Sequence, residues 1–139
     1  MTEYAGAEWR RAQQSLRSAE ILLETDQNAS ASRAYYAAFY AAIALLTFDD
    51  TITFTKHTAV RAAVHRDLVH TGKWSKELGD DYDFPLALRV TGDYGVEESV
   101  TLDQARQAIA RATRIIAAVR RANPQLDALA GLSGAAPAQ

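Results

Sequence analysis

The segment that most constrains the fold runs from Ser32 to Leu46 and reads SRAYYAAFYAAIALL. It contains neither Gly nor Pro and is dominated by Ala and Leu, the strongest helix formers. Its larger apolar residues recur at helical spacing in two sets, one of Tyr35, Phe39, Ala42 and Leu46, the other of Tyr36, Tyr40 and Ile43. Two apolar stripes require cover on most sides. This segment is therefore predicted to be the central helix of a bundle, ending near Phe48, with Ser30 or Asn28 as its N-cap.

Other segments carry the same helical signal on either side of this one. A first helix is predicted from Ala5 to Thr25, where apolar residues alternate by three and four. The loop after the central helix contains β-branched residues but has no partner strand, so no strand is predicted there. The next helix is predicted from Lys56 to Thr71, with Thr55 as N-cap and Gly72 as its stop.

The last third of the chain contains two further helical segments. From Trp74 to Tyr94, Pro85 predicts either two short helices or one kinked helix, because proline lacks an amide hydrogen. Thr101 opens the last helix with a capping-box pattern, and Asn123 ends it. The chain is therefore predicted to be an all-α bundle of four or five helices over residues 1–125. A flexible C-terminal tail is predicted over residues 126–139, because the chain is rich in Gly, Ala, Ser and Pro from Gly131 onward.

Composition excludes several classes of function. The 139 residues have a net charge of −2, so any contact with RNA needs a local basic patch rather than a generally basic surface. The absence of cysteine excludes disulfides and thiolate metal sites. No glycine-rich phosphate loop or HExxH motif occurs, so neither a cofactor nor a metal is predicted. No signal peptide or membrane-length apolar run is visible, and a cytoplasmic location is expected.

His57, Arg61 and His65 lie four residues apart and share one face of a predicted helix. Histidines at this spacing can bind a metal, but Arg61 between them would repel a cation. A basic stripe facing solvent or an interface is one alternative. An anion or phosphate contact is the other, because Lys56 and His57 open the helix, where backbone amides favour anions.

Arg89 lies among apolar residues near the end of the helical segment that contains Pro85. Such an arginine usually has a carboxylate partner, and Asp93 four residues later could form an ion pair inside the helix. The alternative is that Arg89 binds phosphate, with Tyr94 as a neighbouring hydroxyl.

Four blocks taken together resemble the HEPN domain family, and the closest branch is the small stand-alone HEPN proteins of the toxin-like kind. These blocks are Ser32–Ala42, Lys56–Val60, Thr71-Gly72 and Leu88–Gly95. The resemblance covers roughly Glu8 to Val119. It implies an up-and-down helical bundle, usually a homodimer. Many members are metal-independent endoribonucleases, and several are toxins encoded beside a minimal nucleotidyltransferase antitoxin.

The family's catalytic motif is an Arg followed, after four to six residues, by a His. The Arg would hold the scissile phosphate and the His would act as acid or base. Arg89 matches the Arg, but Tyr94 stands where the His is expected. The resemblance therefore implies Arg89, Asp93, Tyr94 and His57 as catalytic candidates.

The candidates for binding the phosphate of a nucleotide or RNA are Arg33, Tyr36, Lys56 and Arg61. The alternative function is a non-catalytic dimeric module that binds RNA, a nucleotide or a partner protein. The departure from the motif at Tyr94 is the observation that motivates this alternative.

Overall fold

The computed structural model describes residues 2–49, 52–54, 56–94 and 99–131, and all their side chains except those of residues 91–94. The helices are α1 (Thr2–Leu22), α2 (Gln27–Thr47), α3 (His57–Ala63), a π-helix (Val64–Val69), α4 (Lys76–Tyr94), α5 (Leu102–Ala122) and α6 (Gln125–Leu129). Within these residues there is no strand, which confirms the all-α prediction. None of the described helices has the length and apolar character needed to cross a membrane.

Helix α2 is the central helix, as predicted, and packs against α1, α4 and α5. Most of its alanines have no exposed surface, which allows three neighbouring helices to approach its backbone closely. Its fully covered alanines are Ala31, Ala34, Ala37, Ala38, Ala41, Ala42 and Ala44. The tyrosines between them fill the remaining space, and the hydroxyls of Tyr35 and Tyr36 reach α3 and α4.

The helix ends follow local signals in part. Thr101 and Gln104 form the predicted capping box, with reciprocal hydrogen bonds of 3.0 and 3.1 Å. Helix α2 is instead capped by Asp26, whose carboxylate accepts from the amide of Ala29. The predicted caps are used elsewhere, because the Ser30 hydroxyl donates to the carbonyl of Ala19 and the Asn28 side chain accepts from the amide of Val100.

The segment 56–72 departs from a uniform α-helix. The α-helical part ends at Ala63, and a π-helix continues to Val69. The amide of His70 donates to the carbonyl of His65, and Gly72 then ends the segment with a φ of 83°. Gly79 of α4 faces this turn, where an added Cβ would lie 3.0 Å from Val69 and 3.2 Å from His65. The stop at Gly72 is confirmed, and the π-helix was not predicted.

Helix α4 continues through Pro85, so the prediction of two separate short helices is wrong and the single helix forms. Pro85 is fully buried, and its ring therefore packs in the core of the bundle. This continuity places Asp81, Tyr82, Asp83 and Arg89 on one rigid element beside α2 and α3.

Residues 126–131, which the sequence analysis assigned to the tail, pack against α1 instead. Leu126 has no exposed surface and Ala130 is 1% exposed. The indole nitrogen of Trp9 donates to Asp127 at 2.8 Å, and Arg10 donates to the carbonyl of Ala130. The packed part of the chain therefore extends at least to Gly131, two residues beyond α6, while the rest of the predicted tail, residues 132–139, lies outside the described residues.

Candidate functional site

Two consecutive tyrosines of α2 connect α3 to α4. The Tyr35 hydroxyl lies 2.7 Å from Nδ1 of His57 at the start of α3. The Tyr36 hydroxyl accepts a hydrogen bond of 3.2 Å from Nη2 of Arg89 on α4. Successive residues of a helix point about 100° apart, so one side chain reaches each neighbouring helix. The tyrosine pair thereby brings together an imidazole and a guanidinium that lie far apart in the sequence.

The His57 imidazole lies among aromatic rings. It stacks on Phe39 with ring centres 4.4 Å apart, and the rings of Tyr35 and Tyr36 lie 5.6 and 5.7 Å away. Burial, and then the positive charge of Arg89, lower the pKa of His57 below its usual 6.5. His57 is therefore mainly neutral at pH 7. Nε2 is the nitrogen left for proton transfer, and it accepts a proton in the tautomer whose Nδ1–H donates to the Tyr35 oxygen.

Arg89 is partly buried against the same rings. Its guanidinium carbon lies 5.8 Å from the ring centre of Tyr35 and 5.6 Å from that of Tyr36. A guanidinium at this distance is attracted to the ring electrons. Arg89 is thus a cation held in a defined position, and the planar guanidinium group is well suited to bind phosphate.

Tyr35 and Tyr82 form the inner wall of the site. Both are fully buried, and their rings meet edge to face at 6.1 Å. Burial raises the pKa of Tyr35 to about 12 and that of Tyr82 well above its usual value. Both hydroxyls therefore remain protonated at neutral pH. Sequence reasoning placed Tyr35 in an apolar stripe whose tyrosine hydroxyls need partners, but did not identify His57 as the partner, because helical spacing does not show which polar atom a hydroxyl meets.

A family model described as the HEPN domain matches residues 6–122. The chain belongs to the HEPN domain family. A relative from Thermotoga maritima, named UPF0332 protein, is 46% identical over 87 residues. That match covers 62% of this chain and 65% of the relative, so this chain spans slightly less than two thirds of its length. These comparisons confirm the family resemblance.

The predicted basic stripe of this HEPN domain is divided between two partners. His57 contacts Tyr35, whereas Arg61 donates to both carboxylate oxygens of Asp83, at 2.9 and 3.0 Å. Nε2 of His65 lies 3.1 Å from the same carboxylate. Asp83 comes from α4, so the sequence analysis could not count it on this face. Because the two histidines have different partners, they do not form one shared ligand set here.

The remaining candidate residues of this HEPN domain belong to α2, to the start of α3 and to the end of α4. The Arg33 guanidinium lies 4.5 Å from the ring centre of Tyr36. Lys56 is exposed and immediately precedes α3. Asp93 and Tyr94 belong to the last turn of α4, and their side chains lie outside the described part of the chain. The ion pair between Arg89 and Asp93 therefore stays a prediction.

Proposed function

We propose that this HEPN domain protein cleaves RNA without a metal and is the toxin-like component of a toxin–antitoxin or defence pair. The observation that supports the activity is the Tyr35–Tyr36 connection, which holds His57 and Arg89 beside the same two rings. A neutral imidazole next to a fixed cation is a suitable pair for phosphodiester transfer. His57 thereby compensates for the motif histidine that this chain lacks after Arg89.

The proposed reaction is an internal transesterification. Arg89 binds a non-bridging oxygen of the scissile phosphate, and Nε2 of His57 takes the proton of the ribose 2′-hydroxyl. The 2′-oxygen bonds to phosphorus and the bond to the 5′-oxygen breaks. The departing 5′-oxygen takes a proton from Tyr94 or from water, and Asp93 helps to orient Arg89. The products are a 2′,3′-cyclic phosphate and a 5′-hydroxyl end.

The neighbouring cations are proposed to hold the adjoining phosphates. Arg33 lies against Tyr36, and exposed Lys56 lies beside His57 in the chain. Nε and Nη2 of Arg61 donate to Asp83, so Nη1 remains to bind a phosphate. Lys56, with a side chain that no cap bond restrains, is the most adaptable of these contacts.

Cleavage of labelled RNA in the presence of EDTA tests this activity. Arg89→Ala should lose most of the rate because the phosphate loses its cation. His57→Ala should slow cleavage by roughly 10²–10⁴-fold, the usual contribution of an acid–base group. Arg66→Ala and His70→Ala are matched controls at exposed positions and should cleave like wild type. Absence of cleavage by the wild type, or wild-type cleavage by His57→Ala, would refute the proposal.

A second function is a binding module without catalysis, favoured by Tyr94 at the position of the motif histidine. In this case the protein binds RNA, a nucleotide or a partner protein through the same cations and tyrosines. Tight RNA binding that Arg89→Ala weakens, with no cleavage by wild type, would support it.

The partner proposed under either function is a minimal nucleotidyltransferase acting as antitoxin. Co-expression with a nucleotidyltransferase encoded next to this protein should yield a complex that co-purifies and that suppresses growth inhibition by this chain alone. Failure of the two proteins to associate, together with unaffected growth, would contradict the pairing while leaving the cleavage assay valid.

A further inference from the structure

A second group of aromatic and basic side chains extends along α2 away from the reacting groups. The rings of Tyr36 and Tyr40 lie on adjacent turns, 5.8 Å apart and inclined by 33°. Arg33 covers the ring of Tyr36 at 4.5 Å, and Arg11 of α1 lies 5.9 Å from the ring centre of Tyr40. We call these four residues the Arg–Tyr ridge. Along α2 it spans about 10 Å, at 1.5 Å per residue from Arg33 to Tyr40.

The ridge is accessible and positively charged. Both rings are partly exposed, and the side chain of Arg11 is 59% exposed. Its only acidic contact among the described ion pairs is Glu8, which binds Arg11 at 2.6 Å and is itself buried. A chain of net charge −2 thus places guanidinium groups beside exposed aromatic surface at this point.

Tyr36 joins the ridge to the candidate site. Its hydroxyl accepts from Arg89, while its ring is covered by Arg33 and neighbours Tyr40. An RNA strand whose scissile phosphate lies at Arg89 would therefore place its adjoining nucleotides against the ridge.

We propose that the Arg–Tyr ridge is a base-stacking subsite for single-stranded RNA, adjoining the Arg89 and His57 site and resting on the function proposed above. Unpaired bases stack on tyrosine rings and guanidinium planes whatever their sequence, while the same guanidinium groups neutralise the phosphates. A duplex cannot use such a surface, because its bases are stacked inside the helix. The ridge therefore selects unpaired strands and positions them for cleavage.

The opposing interpretation is that these pairs only stabilise the protein surface. The chain offers a matched example in Phe84, whose ring centre lies 4.3 Å from the guanidinium of Arg111 on the α4–α5 side. Phe84→Leu removes an aromatic–guanidinium pair there and serves as the control. Arg11 is a poor test position, because its removal would leave buried Glu8 without its cation.

The test uses fluorescence anisotropy with a labelled 2′-O-methyl oligoribonucleotide, which cannot be cleaved because it lacks the attacking hydroxyl. Tyr40→Leu should weaken binding about 5- to 150-fold, the usual effect of losing one stacked base. Tyr40→Phe retains the ring and should bind like wild type, as should Phe84→Leu. The same oligomer as a duplex, and an abasic strand with the same phosphates, should bind more weakly than the normal single strand.

Two results would overturn the subsite. One is equal binding by Tyr40→Leu and Tyr40→Phe, and the other is equal affinity for the normal and abasic strands. Because this probe cannot be cut, binding is measured whether or not the protein is a nuclease. A wild type that fails to cleave RNA but loses affinity on Tyr40→Leu would refute the proposed activity and support the ridge.

Discussion

In the candidate site of this HEPN domain, the contacts of individual side chains differ sharply between neighbouring residues. Tyr35 and Tyr36 are neighbours in sequence, yet their hydroxyls contact different helices, one at His57 and the other at Arg89. The rings around His57 keep its imidazole neutral, and the fully buried Tyr82 closes the inner side. The role of each side chain in the site therefore depends on the atom that it contacts as well as on its burial.

The ionisation of His57 provides a direct test of this arrangement. Burial is the larger cause of its lowered pKa and Arg89 is the second. Arg89→Met should therefore raise the pKa of His57, but leave it below the ordinary value of about 6.5. Titration of the imidazole by NMR measures this change. Arg66→Met, at an exposed position paired with Asp67, is the matched control and should leave the His57 titration unchanged.

Glu8 predicts a pH effect on stability. It is 3% exposed, and burial raises its pKa above the usual 4.5 despite the contact with Arg11. The folded state therefore binds this proton more tightly than the unfolded state does. Protonation of Glu8 stabilises the fold fully below about pH 4.5, and this stabilisation is lost as the pH rises through the pKa of Glu8 in the folded state. Compared with Glu8→Gln, the wild type should gain free energy of unfolding between pH 7 and pH 4.

Urea unfolding of both proteins at several pH values measures this difference. Glu20→Gln, on the exposed side of the same helix, controls for general charge effects. A difference between wild type and Glu8→Gln that stays constant with pH would contradict the proposed cause.

At the level of helices, close approach is achieved with small residues. The alanines of α2 admit α1, α4 and α5, and Gly79 admits the π-helix against α4. Gly6 does the same for α6, whose Asp127 is held by Trp9 at 2.8 Å and by Arg120 at 2.9 Å. These hydrogen bonds lower the pKa of Asp127 against the opposing effect of burial. Helix α6 is thus docked by both packing and charge.

Gly6→Ala should disrupt this docking. The new Cβ would lie 2.9 Å from the carbonyl oxygen of Leu129, and a backbone atom cannot move aside without displacing α6. Alanine ordinarily stabilises a helix by about 1 kcal/mol relative to glycine, so a loss of stability would identify the clash as the larger effect. Hydrogen exchange over residues 125–131 should accelerate. Unchanged exchange would show that α6 tolerates the extra methyl group.

At the scale of the whole molecule, the described residues form a single bundle around α2, with the candidate site on the side formed by α2, α3 and α4. Val90 follows Arg89 directly and is 49% exposed, so it presents apolar surface beside the candidate site. The family resemblance predicts a homodimer in which two sites face each other. Val90 is therefore a suitable residue for testing that arrangement.

Val90→Glu should convert a homodimer into monomers and reduce cleavage, because the two like charges would approach each other across the two-fold axis. Sedimentation equilibrium measures the mass, and circular dichroism checks that the helices remain. Ile21→Glu, at an apolar residue 78% exposed near the end of α1, is the matched control. A wild type that sediments as a monomer, or unchanged mass for Val90→Glu, would contradict this mode of association.

Much of the helical architecture can be predicted from the sequence, because helix formation depends largely on residues that are close in sequence. The alanine-rich run of α2, the capping box at Thr101 and the stop at Gly72 are local signals, and each takes its predicted form. Arg89 is a candidate because of its local setting and the family pattern, and its role stays a prediction. By contrast, α6 was missed because its stability comes from contacts with Trp9 and Gly6, more than a hundred residues earlier.

The partners of the site residues arise from how the helices are rotated and shifted against each other. Periodicity marks His57 and Tyr35 as belonging to two helix faces, but their 2.7 Å contact requires a particular register between α2 and α3. The same register, with α4 added, places Asp83 on Arg61 and Arg89 on Tyr36. Packing of side chains across the core selects that register, and no short stretch of sequence contains this information.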